Sequence, residues 1–267
     1  MTDLQNARPS AIVTGASEGI GAALARVFAE NGHEVAIVAR RGDRLEALAD
    51  EIAASGRSRP TVIELDLLSD GASAALEQRL AEAGLCAQYL VNNAGFGLIG
   101  AAAELDRAEQ LDMIDLNIRA LTELTLRFLP SLVTTKGGVL NVASVASFMP
   151  GPGFAVYYAT KAFVRSFSEA MSHELKPAGV NVSCLCPGPV ETGFQARAGM
   201  NFDGMMAAVK PALIPASEVA RQGYEGLMAG KRVVVPGMAN KLMVWGARLS
   251  PRALLLPILG AAQMQRR

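Results

Sequence analysis

After Glu225 the sequence contains no acidic residue, yet seven bases follow: Lys231, Arg232, Lys241, Arg248, Arg252, Arg266 and Arg267. Over all 267 residues, 25 Lys and Arg balance 25 Asp and Glu, so nothing global points to nucleic acid. The balance hides an asymmetry, because every acid lies in residues 1–225. Cysteine is equally scarce. Cys86, Cys184 and Cys186 are odd in number and fit no zinc or redox spacing, which removes a disulfide framework and predicts no metal site. Cys184 and Cys186 alternate along a strand-like run and are expected to be core thiols. The two histidines, His33 and His173, belong to no visible triad. With no triad histidine in view, and with "HELKP" lacking the second histidine of a zinc protease, hydrolase chemistry is disfavoured. No apolar run reaches the roughly 20 residues needed to span a bilayer. The best candidate, "ALLLPILGAA", is about half as long and contains Pro257. The opening "MTDLQNARPS" has no apolar segment of the signal-peptide kind. A cytoplasmic protein is expected.

What is present is an alternation. "AIVTG" reads as a strand, and "GIGAALARVFAENG" as a helix with Leu24, Val27 and Phe28 on one face and Gly32 at its end. "HEVAIVAR" and "DRLEALADEIAASG" repeat the pattern, with Asp43 the expected N-cap. Then come "TVIELD", a helix over about 70–83, "AQYLVNNAG", helices over about 106–131, "GGVLNVAS", a helix around "YYATK", "VNVSCLCPG", a helix near 216–229 and "KRVVVPG". Continuous Val/Ile/Leu runs separated by helices signal a parallel sheet buried on both faces. The expected architecture is α/β: one doubly wound Rossmann-type domain over residues 1–236, with about seven strands and helices on both faces. Residues 237–267 follow as an apolar, basic helical extension of the same domain.

In such sheets ligands bind beyond the carboxyl ends of the strands. Those ends carry "TGASEGIG", "ARR", "DL", "NNAG", "ASVAS" and "PGPVET" in turn. Gly15, Gly19 and Gly21 open the first helix, where glycine lets the backbone approach a pyrophosphate held by free N–H groups and the helix dipole. The spacing is neither a P-loop nor G-x-G-x-x-G. The stretch "AVYYATKAF" adds two tyrosines a turn ahead of Lys161, and both Tyr157 and Tyr158 share a helix face with it. A phenol titrates near pH 10. A nearby ammonium would pull that value down, giving a group able to pass a proton to or from an alkoxide.

Taken in order, "TGASEGIG", "NNAG", Ser144, "YYATK" and "PGPVET" resemble the short-chain dehydrogenase/reductase family over about residues 10–235. The resemblance implies an NAD(P)-dependent oxidoreductase acting on a CH–OH or C=O group. Its Y-x-x-x-K motif selects Tyr157 as general acid/base and leaves Tyr158 as a neighbour. It implies that Lys161 lowers the tyrosine pKa and bonds the nicotinamide ribose, and that Ser144 bonds the substrate oxygen. Asn117, in "DLNIRA", would position a water leading protons to the lysine. Pro187, Gly188, Val190 and Thr192 would hold the nicotinamide. Gly15, Ser17, Gly19, Ile20, Gly21 and Gly95 would line the cofactor, with Asp66 and Asn93 near the adenine and its ribose. The second strand ends in Ala39 rather than an acid, and Arg40 and Arg41 follow, so NADP(H) is favoured over NAD(H). Glu18 departs from relatives that carry a base inside the glycine loop. A non-catalytic nucleotide-sensing module is the rival reading, disfavoured because Asn117, Ser144, Tyr157 and Lys161 are all kept.

Phe96, Phe148, Met149, Pro150 and Phe154 are candidates to line an apolar carbonyl or alcohol substrate, with Phe194, Met200, Phe202, Met205 and Met206 on a following lid segment. The small residues of the Tyr/Lys helix, with Phe163 and Phe167, point to a homodimer or homotetramer, since relatives pair this helix. In the tail, Met238, Leu242, Trp245 and Leu249 follow helical spacing, and Pro251 and Pro257 are expected to interrupt any continuous helix. Docking on the protein itself or on a partner subunit ranks first for this surface, and peripheral membrane contact second.

Overall fold

Successive residues of each central strand serve different layers. Ala11 and Val13 enter one apolar cluster and Ile12 another; Val35 and Ile37 divide in the same way from Ala36 and Val38. A strand that buries both faces must be apolar throughout, which is why these runs do not alternate with polar residues. The computed structural model describes residues 7–190 and 213–264. Its sheet runs β1 (Arg8–Thr14), β2 (Glu34–Ala39), β3 (Thr61–Glu64), β4 (Leu85–Asn92), β5 (Gly138–Val142), β6 (Asn181–Leu185) and β7 (Val233–Val234). All seven are parallel, in the order β3-β2-β1-β4-β5-β6-β7. The order reverses between β1 and β4, and the switch point lies between their carboxyl ends.

One layer holds α1 (Gly19–Glu30), α2 (Gly42–Ala54) and α7 (Ala216–Met228), through Leu24, Phe28, Leu45, Ile52, Val219 and Leu227. The other is built from α3 (Ala72–Glu82), α5 (Leu121–Thr135) and α6 (Ala155–Glu174), with Leu76, Leu80, Leu124, Phe128, Leu132 and Met171 inward. A short α4 (Arg107–Ile114) leads into α5 through a π-helical turn, Asp115–Ala120. The tail forms α8 (Met238–Leu249) and α9 (Arg252–Met264).

Three local expectations need correction. Asp43 lies inside the first turn of α2; the cap position belongs to Arg41, and no side chain caps that helix. Asp43 thus favours the helix through its charge near the dipole rather than through a cap bond. The run "KRVVVPG" yields only a two-residue β7, because it is the sheet edge and Pro236 offers no N–H to extend it. Pro251 does separate α8 from α9, but Pro257 is accommodated within α9. Its missing N–H orphans the carbonyl of Ala253, an exposed residue, so water can take the bond.

Candidate active site

The glycine loop closes on itself at the end of β1. Gly15 and Gly19 have φ of 64° and 58°, in the left-handed region that favours glycine. A Cβ on Gly21 would run into the Gly15 carbonyl and the Asn93 amide. Glu18 precedes α1 with no side-chain cap bond, which leaves the first N–H groups of the helix to an outside acceptor. Such a glycine-walled loop with uncapped N–H donors fits a pyrophosphate. Ile20, half-buried, packs back on the core and fixes the loop from behind. Two side chains brace it further. Thr14 Oγ1 donates to the Val91 carbonyl at 3.1 Å and accepts from the N–H of Asn93 and Ala94 at 3.0 and 3.1 Å. Asn93 Nδ2 donates to the carbonyls of Thr14 and Gly15 at 2.9 and 3.1 Å. The Asn93 amide nitrogen therefore holds β1 to β4.

Beyond β2 the guanidinium groups are already organised. Arg41 donates to Ser17 Oγ at 2.8 Å and pairs with Glu18 at 3.0 Å; Arg44 pairs with the other oxygen of Glu18 at 2.8 Å. Arg40 lies 3.7 Å from the Asp66 carboxylate, whose Oδ1 also accepts the N–H of Leu68. Glu18 is thus neutralised by two arginines and ties the loop to the start of α2. Arg44 was missed from sequence, although three arginines within "ARRGDR" were a legible signal.

Ser144, Tyr157 and Lys161 converge past the end of β5. Ser144 caps the 3-10 turn Val145–Phe148 by accepting the Ala146 N–H at 3.1 Å, and its hydroxyl reaches the Pro187 carbonyl at 3.5 Å. It stands near enough to the Tyr157 phenol to draw that group's pKa down. The Lys161 side chain is buried, and its Nζ donates to the Val142 carbonyl at 2.8 Å. It sits 5.9 Å from the centre of the Tyr157 ring. Here the expectation that Lys161 lowers the tyrosine pKa is not met. Burial around the hydroxyl dominates and holds the phenol above its usual value, opposed by the Ser144 hydroxyl. Burial also pushes the Lys161 ammonium down, to about 8, with Cys184 and Cys186 opposing that shift. Tyr158 faces elsewhere, its ring against Gly151, where an added Cβ would clash.

Asn117 sits in the π turn, a widened turn of the kind often found at functional positions. Its Oδ1 accepts the Phe96 N–H at 3.1 Å, and its Nδ2 donates to the Phe96 carbonyl and Thr160 Oγ1 at 2.9 and 3.0 Å. It thus joins the β4 loop to α6 one residue before Lys161. Gly95 fits between them: a Cβ there would lie 2.7 Å from Asn117 Oδ1 and 3.5 Å from Lys161 Nζ. Pro187 and Val190 are buried beyond β6, and Gly188 is half-buried beside them. Thr192 and the expected lid residues Phe194, Met200, Phe202, Met205 and Met206 lie outside the described residues.

A family model described as short chain dehydrogenase matches residues 9–201, a span that contains this whole constellation. The chain belongs to that family. It is 39% identical to sulfoacetaldehyde reductase 2 of Chromohalobacter salexigens over 68% of this chain and 73% of that one. It is 40% identical to an NADP-dependent 3-hydroxy acid dehydrogenase of Salmonella typhi, over 67% and 71%. Among solved structures, a short-chain dehydrogenase from Sphingobium yanoikuyae in complex with NADPH aligns with a TM-score of 0.77 at 33% identity, covering 92% of this chain and 95% of that one.

Around the Ser144 and Tyr157 end of this short-chain dehydrogenase lie contacts that motif reading did not reach. Phe148 carries two guanidinium groups near its ring, Arg165 at 4.3 Å and Arg248 at 5.0 Å from the ring centre. Phe96 and Phe154 are buried, and Phe154 packs edge-on to Tyr157 at 5.2 Å. Asn240 of α8 donates to the Pro236 carbonyl at 2.9 Å and stands where a Cβ on Gly188 would go. No sequence signal announced Asn240, because it lies in a tail whose other residues read as apolar or basic.

Proposed function

We propose that this short-chain dehydrogenase is NADP(H)-dependent, interconverts a carbonyl and an alcohol on an apolar small molecule, and uses Tyr157 as the general acid/base. The observation that carries this reading is buried Lys161, with its ammonium 5.9 Å from the centre of the Tyr157 ring and the Ser144 hydroxyl acting on the same phenol, at the strand ends that also carry the glycine loop. Arg40 and Arg41, with no acid at the end of β2, support a 2′-phosphate, as do the NADP-dependent and NADPH-bound relatives. NAD(H) is the alternative nucleotide. When bound, the nicotinamide supplies or accepts a hydride.

The protein's residues do the rest. Ser144 donates a hydrogen bond to the substrate oxygen, where negative charge grows in reduction. Tyr157 releases its proton to that oxygen, and a phenol held above its ordinary pKa by burial is protonated and ready at neutral pH. Lys161, still protonated at neutral pH with its pKa near 8, is held by the Val142 carbonyl at 2.8 Å and would bond the nicotinamide ribose. Asn117 anchors the β4 loop against α6 and positions the water that returns a proton to Lys161. Phe148, Phe154 and Met149 give the oxygen-binding residues an apolar surround. The test is NADPH oxidation, followed against a panel of apolar ketones and aldehydes, with NADH in parallel. No turnover of any carbonyl, with NADPH still bound, would favour the nucleotide-sensing module instead.

A further inference from the structure

The face of α8 expected to dock on the protein itself or on a partner subunit is open on the single chain. Asn240 and Val244 are buried against the body, while Met238, Leu242, Trp245 and Leu249 are 71%, 67%, 66% and 66% exposed. At 3.6 residues per turn these four fall within an arc of about 60°. Lys241 and Arg248 run together along one flank of that arc, between the apolar stripe and the buried face. Arg252 and exposed Leu256 continue the surface onto α9. Nowhere after Glu225 is there an acid to neutralise these bases.

We propose that α8 and the start of α9 form an interfacial anchor that lays this end of the protein on an anionic lipid surface. An apolar stripe with Trp and Leu, flanked by long basic side chains, buries its apolar side at the acyl boundary while the bases reach back to headgroup phosphates. The charge pattern separates this occupant from a second copy of the chain. An antiparallel two-fold contact of α8 across this face would bring an acid-free basic flank beside its own image, which repels. Among the described residues no helix is long and apolar enough to cross a membrane, so the anchor lies on the surface. It is also continuous with the substrate side. Arg248 stacks on Phe148, Asn240 backs Gly188, and Gly260 of α9 approaches Pro152, just before the Tyr157 helix. The proposal does not depend on the reaction assigned above, and its readouts are independent of turnover.

Trp245 is the chain's single tryptophan, so its emission reports the stripe directly. The full chain with NADPH would be mixed with vesicles of phosphatidylcholine alone or with added phosphatidylglycerol. Trp245 emission should shift to the blue and the protein co-sediment with the anionic vesicles, less so at high salt. Leu242→Ser with Leu249→Ser should abolish the shift. Lys241→Gln with Arg252→Gln should weaken anionic partitioning roughly tenfold or more. All four positions are exposed, so circular dichroism should be unchanged. Absence of vesicle binding would overturn the proposal. So would a Trp245 emission already blue without lipid, together with a solution mass that falls in the Leu242→Ser, Leu249→Ser variant, because a second copy would then cover the stripe.

Discussion

Tyr157 and Tyr158 are adjacent in sequence and differ in what they touch. The first meets Ser144 and lies beneath Lys161; the second packs its ring on Gly151. Tyr157→Phe should cut kcat by several orders of magnitude with NADPH binding retained, whereas Tyr158→Phe should be mild. A larger loss at Tyr158 would reverse the assignment. Lys161 also leaves a mark on stability. Its pKa is about 8 when folded against 10.5 for an ordinary lysine, so between those values the unfolded chain binds more protons. Stability from this group therefore rises with pH through that window, and is lowest below pH 8, where the folded form buries a full ammonium. Urea midpoints across the window should rise in the native chain relative to Lys161→Met; parallel curves would contradict it. At the cofactor end, Arg40→Ala should reduce the preference for NADPH over NADH by about tenfold, chiefly through the NADPH KM. Equal efficiency of the native protein with both nucleotides would count against that reading.

Elements were legible where periodicity was strong. The runs that became β1, β2, β4, β5 and β6 are nearly all apolar because both faces are covered, and α1, α2 and α7 each show an apolar stripe. The motifs at the strand ends were legible for a related reason: glycine and hydroxyl residues cluster there, where the backbone must turn. The π turn at Asp115–Ala120 had no such signal. It differs from an ordinary helix by one extra residue in a turn, which no residue preference marks. What it delivers is Asn117, pinned to both backbone groups of Phe96 and to Thr160. Asn117→Ala should cost about 1–3 kcal/mol of stability by leaving those buried groups unpaired, besides lowering activity. Asn117→Asp restores an acceptor but no donor, so it should recover only part of the stability, read as a urea midpoint between native and Ala. A midpoint equal to native in the Ala variant would remove the bracing role.

At the scale of the whole molecule, apolar side chains left on the outside call for a partner. Phe163 is 39% exposed and stacks on Phe167 at 5.9 Å on the outer side of α6, and Leu126 of α5 is 52% exposed. The expected dimer or tetramer would cover them, and Phe163→Asp should lower the mass measured by light scattering at micromolar protein. A native monomer under those conditions would refute the assembly. The tail was the least legible part, because an amphipathic pattern reports that a face is apolar without saying what covers it. The strand order has a different consequence, for the chain while it is being made. As residues leave the ribosome, β2 finds β1 waiting, β3 finds β2, and β4 takes the free edge of β1. Strands β5, β6 and β7 then each join the strand that emerged just before. Every new strand meets an edge that already exists, and of the edges that are later paired only one, on β1, waits while two other strands are synthesised. A sheet laid down in this way can grow outward during translation, and the short β7 closes it last.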